Sequence, residues 1–159
     1  MITVNIPALP LHGIDLRDMM LGCMQKSVAQ VCSEAETFHP YLFCYINGQE
    51  GQSVCKHKSY PKALAALLRE VAQLPAGTNC YAISYYGTIN YSSAVFVEGF
   101  VGHAVIGHVL CQKIKTKGLL NERKVPHGEP VYLGEKRIMT QCTFVDRLAH
   151  AIKVLLKQD

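Results

Sequence analysis

Three strand-like runs in the middle of the chain constrain its fold more than any other feature. They are rich in β-branched and aromatic residues, turn-forming residues separate them, and they cover 80–86, 93–100 and 104–114. Within them, 94–97 and 104–111 are apolar at consecutive positions, so both faces of these strands must be covered. We therefore expect a central antiparallel meander that is sheltered by helices, by a second copy of the chain, or by both.

Three amphipathic helices are predicted to supply that cover. The first begins after Asp15, whose carboxylate can accept hydrogen bonds from the free amides of the first turn. The second is capped by Ser59 or Tyr60 and carries Pro61 in its first turn, where the missing amide needs no partner. The third begins at Thr143 and has apolar residues at helical spacing.

Further strand-like segments extend the sheet. Residues 2–6 alternate in polarity, and 131–139 form another run. Between the first two helices, 41–46 and 52–57 flank an Asn-Gly pair, which favours a hairpin because both residues tolerate positive φ. The five-residue spacing over 47–51 predicts a looser connection than a two-residue turn.

These elements define the predicted architecture. The order is β-α-β-β-α-β-β-β-β-α, a mainly antiparallel sheet of about five to seven strands packed with three helices. A chain of 159 residues has the length of one domain, and it contains no linker, repeat or low-complexity tract that would divide it. Residues 1–159 are therefore expected to form a single α+β domain.

Composition excludes several classes of protein. Hydrophobic residues make up 49% of the chain and charged residues 18%, which is typical of a folded domain rather than a disordered chain. The most apolar stretch, 94–110, is interrupted by Glu98, His103 and His108 and is too short to cross a bilayer as a helix. The N-terminal segment lacks the basic start and apolar core of a secretory signal. We expect a cytoplasmic protein with no membrane partner.

The seven cysteines favour the same compartment. Their number is odd, there is no C-x-x-C pair, and most of them have apolar neighbours. Such residues behave as small buried hydrophobes in a reducing cytosol. Their spacing predicts no zinc site, and nothing in the sequence predicts another metal or a cofactor.

The formal net charge of +4 arises from the second half of the chain, where basic residues are clustered. On a strand, Lys113, Lys115 and Lys117 share one face, and Arg123 and Lys124 lie in the adjoining predicted loop. Such a row is suited to binding nucleic acid or another polyanion. The alternative is that the lysines only keep the strand soluble, since the loop that follows lacks aromatic residues suited to stacking on single strands.

Two places carry residues suited to catalysis. The loop 118–130 is long for a compact domain and contains His127 and Glu129, an imidazole and a carboxylate that suit acid-base chemistry. Cys55 and His57 are two positions apart on a predicted strand, so both point to the same side as a thiol–imidazole pair would. The alternatives are a solvated hairpin tip and ordinary sheet residues.

A cluster of tyrosines lies in the meander and comprises Tyr81, Tyr85, Tyr86 and Tyr91. Tyrosine combines apolar area with a hydroxyl group, which suits a small-ligand pocket or a dimer interface. The alternative is that these side chains only pack across neighbouring strands.

Motifs of the common enzyme classes are missing from the sequence. It contains no nucleotide-binding glycine loop, no G-x-S-x-G and no H-E-x-x-H, and it shows no specific family resemblance. We expect a non-catalytic protein that binds a small ligand or a protein partner, as a homodimer. One alternative is an enzyme that uses the 118–130 loop, or Cys55 with His57. The other is a polyanion-binding protein that uses the basic residues of 113–124.

Overall fold

The computed structural model describes residues 10–11, 14–33, 38–102, 104 and 106–137. The helices within these residues are α1 (Leu16–Cys32) and α2 (Tyr60–Ala72). The strands are β1 (Pro10–Leu11), β2 (Ile14–Asp15), β3 (Tyr41–Ile46), β4 (Gln49–Val54), β5 (Thr78–Ile89), β6 (Ser92–Val101), β7 (Ile106–Lys117), β8 (Arg123–Pro126) and β9 (Val131–Arg137).

Seven of the strands form one antiparallel sheet. Its order is β4-β3-β5-β6-β7, and the outer edge of β7 pairs with both β8 and β9. β9 pairs with the beginning of β7, over 106–111, and β8 pairs with its end, over 114–117. β1 and β2 form a separate two-stranded sheet. The α+β class, the antiparallel sheet and the central meander β5-β6-β7 are confirmed.

Two of the three predicted helices lie within the described residues. α1 follows Asp15, and α2 follows Ser59, whose Oγ accepts a hydrogen bond from the Lys62 amide at 3.4 Å. The helix predicted from Thr143 and the strand predicted over 2–6 lie outside the described residues. No helix in the described part of the chain has the length and apolar character needed to cross a membrane.

α1 covers one face of the sheet, which we call the α1 face. Leu16, Met20 and Met24 are buried there in one core with sheet residues that include Val95 and Leu110. The first helix is therefore held by the burial of its apolar stripe against the three central strands.

The opposite face, which we call the α2 face, has a second core. Leu64 and Leu67 of α2 belong to it together with Leu42 and Ile83 of the sheet. Residues 94–97 are all buried, alternately on the two faces, as their continuous apolar character predicted.

The connection after β3 is tighter than predicted. Asn47 and Gly48 have φ values of 51° and 77° and form a two-residue turn, because Ile46 pairs directly with Gln49. Two consecutive positive φ values match the twist of a hairpin. The looser connection was wrongly predicted because the residues that follow the turn have low strand propensity and nevertheless join the ladder.

The segment 118–130 is not the continuous loop that its composition predicted. β8 lies within it and pairs with the end of β7. Lysine and proline have low strand propensity, so this pairing depends on β7 rather than on the local sequence. The loops that remain are 118–122, at the tip of the β7–β8 hairpin, and 127–130, which joins β8 to β9.

Candidate functional site

A cavity of about 440 Å³ lies where β7 meets the 127–130 loop. Three segments contribute to its lining, which includes Cys111, Lys113, His127, Glu129, Val131 and Leu133. The cavity is on the α2 face, because Cys111 belongs to the core of that face. With Ile89 and Asn90, which also line it, the cavity combines five polar or titratable side chains with three apolar ones.

β7 and β9 form the base and one wall of the cavity. Cys111 is 3% exposed and is the register partner of Val131, and the exposed Lys113 follows two positions later on the same face. Val131 and Leu133 are 57% and 41% exposed, so they present apolar surface at the cavity. The cavity therefore has a thiol at its base and an ammonium group at its rim.

The 127–130 loop is held against β7 by hydrogen bonds. The amide of His127 donates to the carbonyl of Lys113 at 2.8 Å, which sets the two residues side by side. The buried side-chain amide of Gln112 donates to the carbonyls of His127 at 3.3 Å and Gly128 at 3.1 Å. Gly128 has a φ of 74°, a left-handed conformation that favours glycine and takes the chain out of the strand.

The cavity is lined by residues that the sequence analysis assigned to two different functions. Lys113 was predicted as part of a polyanion-binding row, whereas His127 and Glu129 were predicted as an acid-base pair. Sequence reasoning missed Cys111 and Gln112. Strand parity placed Cys111 on the same face as Lys113, but the β7–β8 pairing that brings the loop beside them is not visible in the sequence.

A second cavity, of about 660 Å³, lies behind the same loop on the α1 face. α1 supplies an apolar wall that includes Met24 and Val28, and Gln112 contributes a polar group. Gly128 and Glu129 line both cavities, so the loop is a thin partition between them. A ligand in either cavity would contact this loop.

Four of the five residues predicted to bind a polyanion lie on the α2 face. Lys113, Lys115 and Lys117 alternate along β7 and are exposed, and Arg123 is the register partner of Lys117. Lys124 lies on the opposite face, because side-chain direction alternates along a strand. β8, rather than the predicted loop, positions the last two residues.

The four tyrosines predicted to bind a ligand are dispersed. Tyr81 and Tyr85 are buried on the α2 face, where they stack on phenylalanines of β6 with ring centroids 4.9 and 5.2 Å apart. The Tyr85 hydroxyl donates to the buried Glu98 carboxylate at 2.9 Å, and burial next to this carboxylate raises the pKa of Tyr85. Tyr86 is half-buried, and Tyr91 is fully exposed at a hairpin tip. Neither of the two cavities is lined by any of the four.

Cys55 and His57 do not have the strand geometry that was predicted for them. β4 ends at Val54, so neither residue lies on the strand. The buried Cys55 thiol donates to the Glu70 carboxylate at 3.6 Å, and the pKa of this thiol is raised to about 12 by burial first and by Glu70 second. Ser53 donates to the same carboxylate at 2.6 Å. The cluster therefore ties β4 to α2, and the thiol stays protonated at neutral pH.

The fold and the cavity define an α+β protein whose pocket combines a cation, an imidazole and a carboxylate with apolar walls. Within the described residues, no group of three or more His, Cys, Asp or Glu side chains is placed to hold a metal ion. Comparisons with protein-family models, with curated proteins and with solved structures find no match. The function is therefore proposed from the geometry of the site.

Proposed function

We propose that this protein binds a small acidic molecule with an apolar portion in the 440 Å³ cavity, without catalysing its conversion. The observation that carries the proposal is the placement of Lys113 and His127 beside Val131 and Leu133 in one cavity. The volume lies in the range of about 300–1,000 Å³ that is usual for small-molecule sites. The six described cysteines are free, which supports a reducing compartment, and we place the protein in the cytoplasm.

The charge around the cavity favours an anionic ligand. Lys113 lines it, and Lys115, Lys117 and Arg123 continue the positive charge along the same face. A carboxylate or phosphate of the ligand would pair with the lysine in the cavity, since charge-assisted hydrogen bonds are the stronger ones. Glu129 would accept a hydrogen bond from a hydroxyl or amino group on the same ligand.

Acid-base catalysis is the second candidate function, because His127 and Glu129 lie in the same cavity as Lys113. Binding is favoured over catalysis because all three side chains are exposed to water. Catalytic acids and bases typically lie where water is excluded from the reacting groups. Recovery of a bound acid unchanged, after incubation with the protein, distinguishes binding from turnover.

The binding proposal predicts a charge-dependent interaction with anilinonaphthalene sulfonate, which joins an apolar ring system to a sulfonate. We expect the native protein to enhance the fluorescence of this compound in a saturable way. Lys113→Ala is expected to weaken the affinity about tenfold, because loss of a charge-assisted hydrogen bond costs about 1.5 kcal/mol. Fluorescence titration measures the dissociation constant.

The matched control is Lys62→Ala, which removes an exposed lysine of α2 that does not line the cavity. We expect this variant to bind the compound as the unmodified protein does. Equal affinities for the Lys113→Ala and Lys62→Ala variants would refute the site. Urea unfolding of both variants establishes that the fold is intact.

We also propose that two copies of the chain associate through the outer edge of β9. β9 pairs with β7 on one side, and no strand among the described residues pairs with its other side. Val131 and Leu133 on this strand are 57% and 41% exposed. An edge strand with exposed apolar side chains is suited to pairing with its own copy about a twofold axis.

Sedimentation velocity at micromolar concentration tests the dimer. We expect a species of twice the 17.6 kDa chain mass. Leu133→Lys is expected to yield the monomer, because it places a charge on the paired edge. Leu120→Lys changes a leucine that is 97% exposed outside β9 and should leave the dimer intact. A single monomeric species for the unmodified chain would contradict the proposal.

A further inference from the structure

The tip of the β7–β8 hairpin exposes two adjacent leucines. Leu119 and Leu120 are 101% and 97% exposed. The preceding Gly118 has a φ of 104°, and a Cβ at this position would come within 2.5 Å of the Asn121 carbonyl oxygen. Glycine is therefore needed for the turn that holds both leucines away from the body of the protein. Large apolar side chains that a fold leaves fully exposed are a feature of interaction sites.

Basic residues flank this tip on both faces of the hairpin. Lys115, Lys117 and Arg123 lie on the α2 face, and Lys124 lies on the α1 face. Glu122 is the one acidic residue between the start of β7 and the end of β8. The tip is therefore apolar at its end and cationic at its base.

The β5–β6 hairpin contributes a third large exposed side chain at the same end of the sheet. Tyr91 is 106% exposed in the β5–β6 turn, where Asn90 and Tyr91 have φ values of 49° and 65°. Because Ala94 pairs with Lys113, this turn lies at the same end of the sheet as the β7–β8 tip. Tyrosine is enriched where proteins meet the headgroup region of membranes.

We propose that this end of the sheet binds the surface of an anionic lipid bilayer. The leucines would enter the boundary between headgroups and acyl chains, and the basic residues would contact anionic headgroups. A nucleic acid would use the same basic residues but would give the two leucines no role, because single strands bind through charge and aromatic stacking. The expectation of no membrane partner rested on the lack of a long apolar segment, which a surface-binding hairpin does not require.

Flotation with lipid vesicles tests this proposal independently of the cavity. We expect the unmodified protein to float with phosphatidylcholine vesicles that contain phosphatidylserine and not with phosphatidylcholine vesicles alone. The double variant Leu119→Ser/Leu120→Ser is expected to partition about tenfold less, since it removes the apolar contact. The triple variant Lys115→Gln/Lys117→Gln/Arg123→Gln is expected to partition about a hundredfold less.

The matched control is Lys56→Gln/Lys58→Gln/Lys62→Gln, which removes the same charge from exposed lysines elsewhere in the chain. This control should float as the unmodified protein does. No flotation with phosphatidylserine vesicles would overturn the proposal, and so would flotation that the leucine substitutions leave unchanged. The proposal would also be overturned if the protein bound a DNA fragment through the basic residues without any contribution from the leucines. That result would indicate that this end of the sheet binds a polyanion. All variants change exposed side chains, so their urea unfolding transitions should match that of the unmodified protein.

Discussion

Replacing Leu110 with alanine is expected to lower the free energy of unfolding by about 2–5 kcal/mol. Leu110 is 0% exposed on the α1 face of β7 and belongs to the core with Met20 and Met24. Truncation removes buried methyl groups and leaves a cavity that the neighbouring strands cannot close, because pairing fixes β6 and β9 on either side. The loss is a large share of the ~5–15 kcal/mol that stabilises a typical domain.

Urea unfolding measures this effect, and Leu120→Ala is its matched control. Both variants make the same chemical change, but Leu120 is 97% exposed. The control should therefore unfold within about 0.5 kcal/mol of the unmodified protein. If Leu110→Ala lowered the free energy of unfolding by no more than Leu120→Ala does, the α1 face of β7 would not be part of the core.

Raising the pH above 9 is expected to destabilise the protein steeply. Burial raises the pKa values of Cys23, Cys55 and Cys80 from 9.0 to about 12, about 12 and about 11. Above pH 9 the unfolded chain releases these thiol protons while the folded chain retains them, so the free energy of unfolding falls as pH rises. Each thiol contributes roughly 1.4 kcal/mol per pH unit, and three thiols contribute roughly 4.

The free energy of unfolding should continue to fall until each thiol ionises in the folded state, near pH 11 for Cys80 and near pH 12 for Cys23 and Cys55. Urea unfolding under reducing conditions, at a series of pH values from 9 upward, measures the slope. Cys23→Ala removes one of the three thiols and is expected to make the slope shallower by roughly 1.4 kcal/mol per pH unit. A free energy of unfolding that stays constant over this range would contradict the prediction.

The elements that depend on local sequence were largely predictable. Ser59 and Pro61 located the start of α2, because capping and first-turn preferences act within one turn. The meander followed from its β-branched and aromatic runs, and the burial of 94–97 followed from their unbroken apolar character. β8 was missed because its lysine and proline have low strand propensity, and it forms where β7 offers an unpaired edge.

The candidate site was predictable only as separate pieces. His127 and Glu129 were identified by their side-chain chemistry, and Lys113 by its place in a basic row. Their meeting in one cavity depends on the β7–β8 register and on the hydrogen bonds of Gln112, which join residues about fifteen positions apart. The pairing of Cys55 with His57 was inferred from a strand that in fact ends before both of them.

By itself, the sequence determined the α+β class, the central antiparallel strands and the need to cover both of their faces. These properties follow from the periodicity of apolar side chains and from the free-energy cost of leaving such side chains in water. Both can be read from residues that are close together in the sequence. Only the tertiary structure decided that the 127–130 loop closes a cavity beside Lys113 and that Leu119 and Leu120 remain exposed. The physical reason is that strand register is set by pairing between distant segments, and burial depends on which surfaces that pairing brings together.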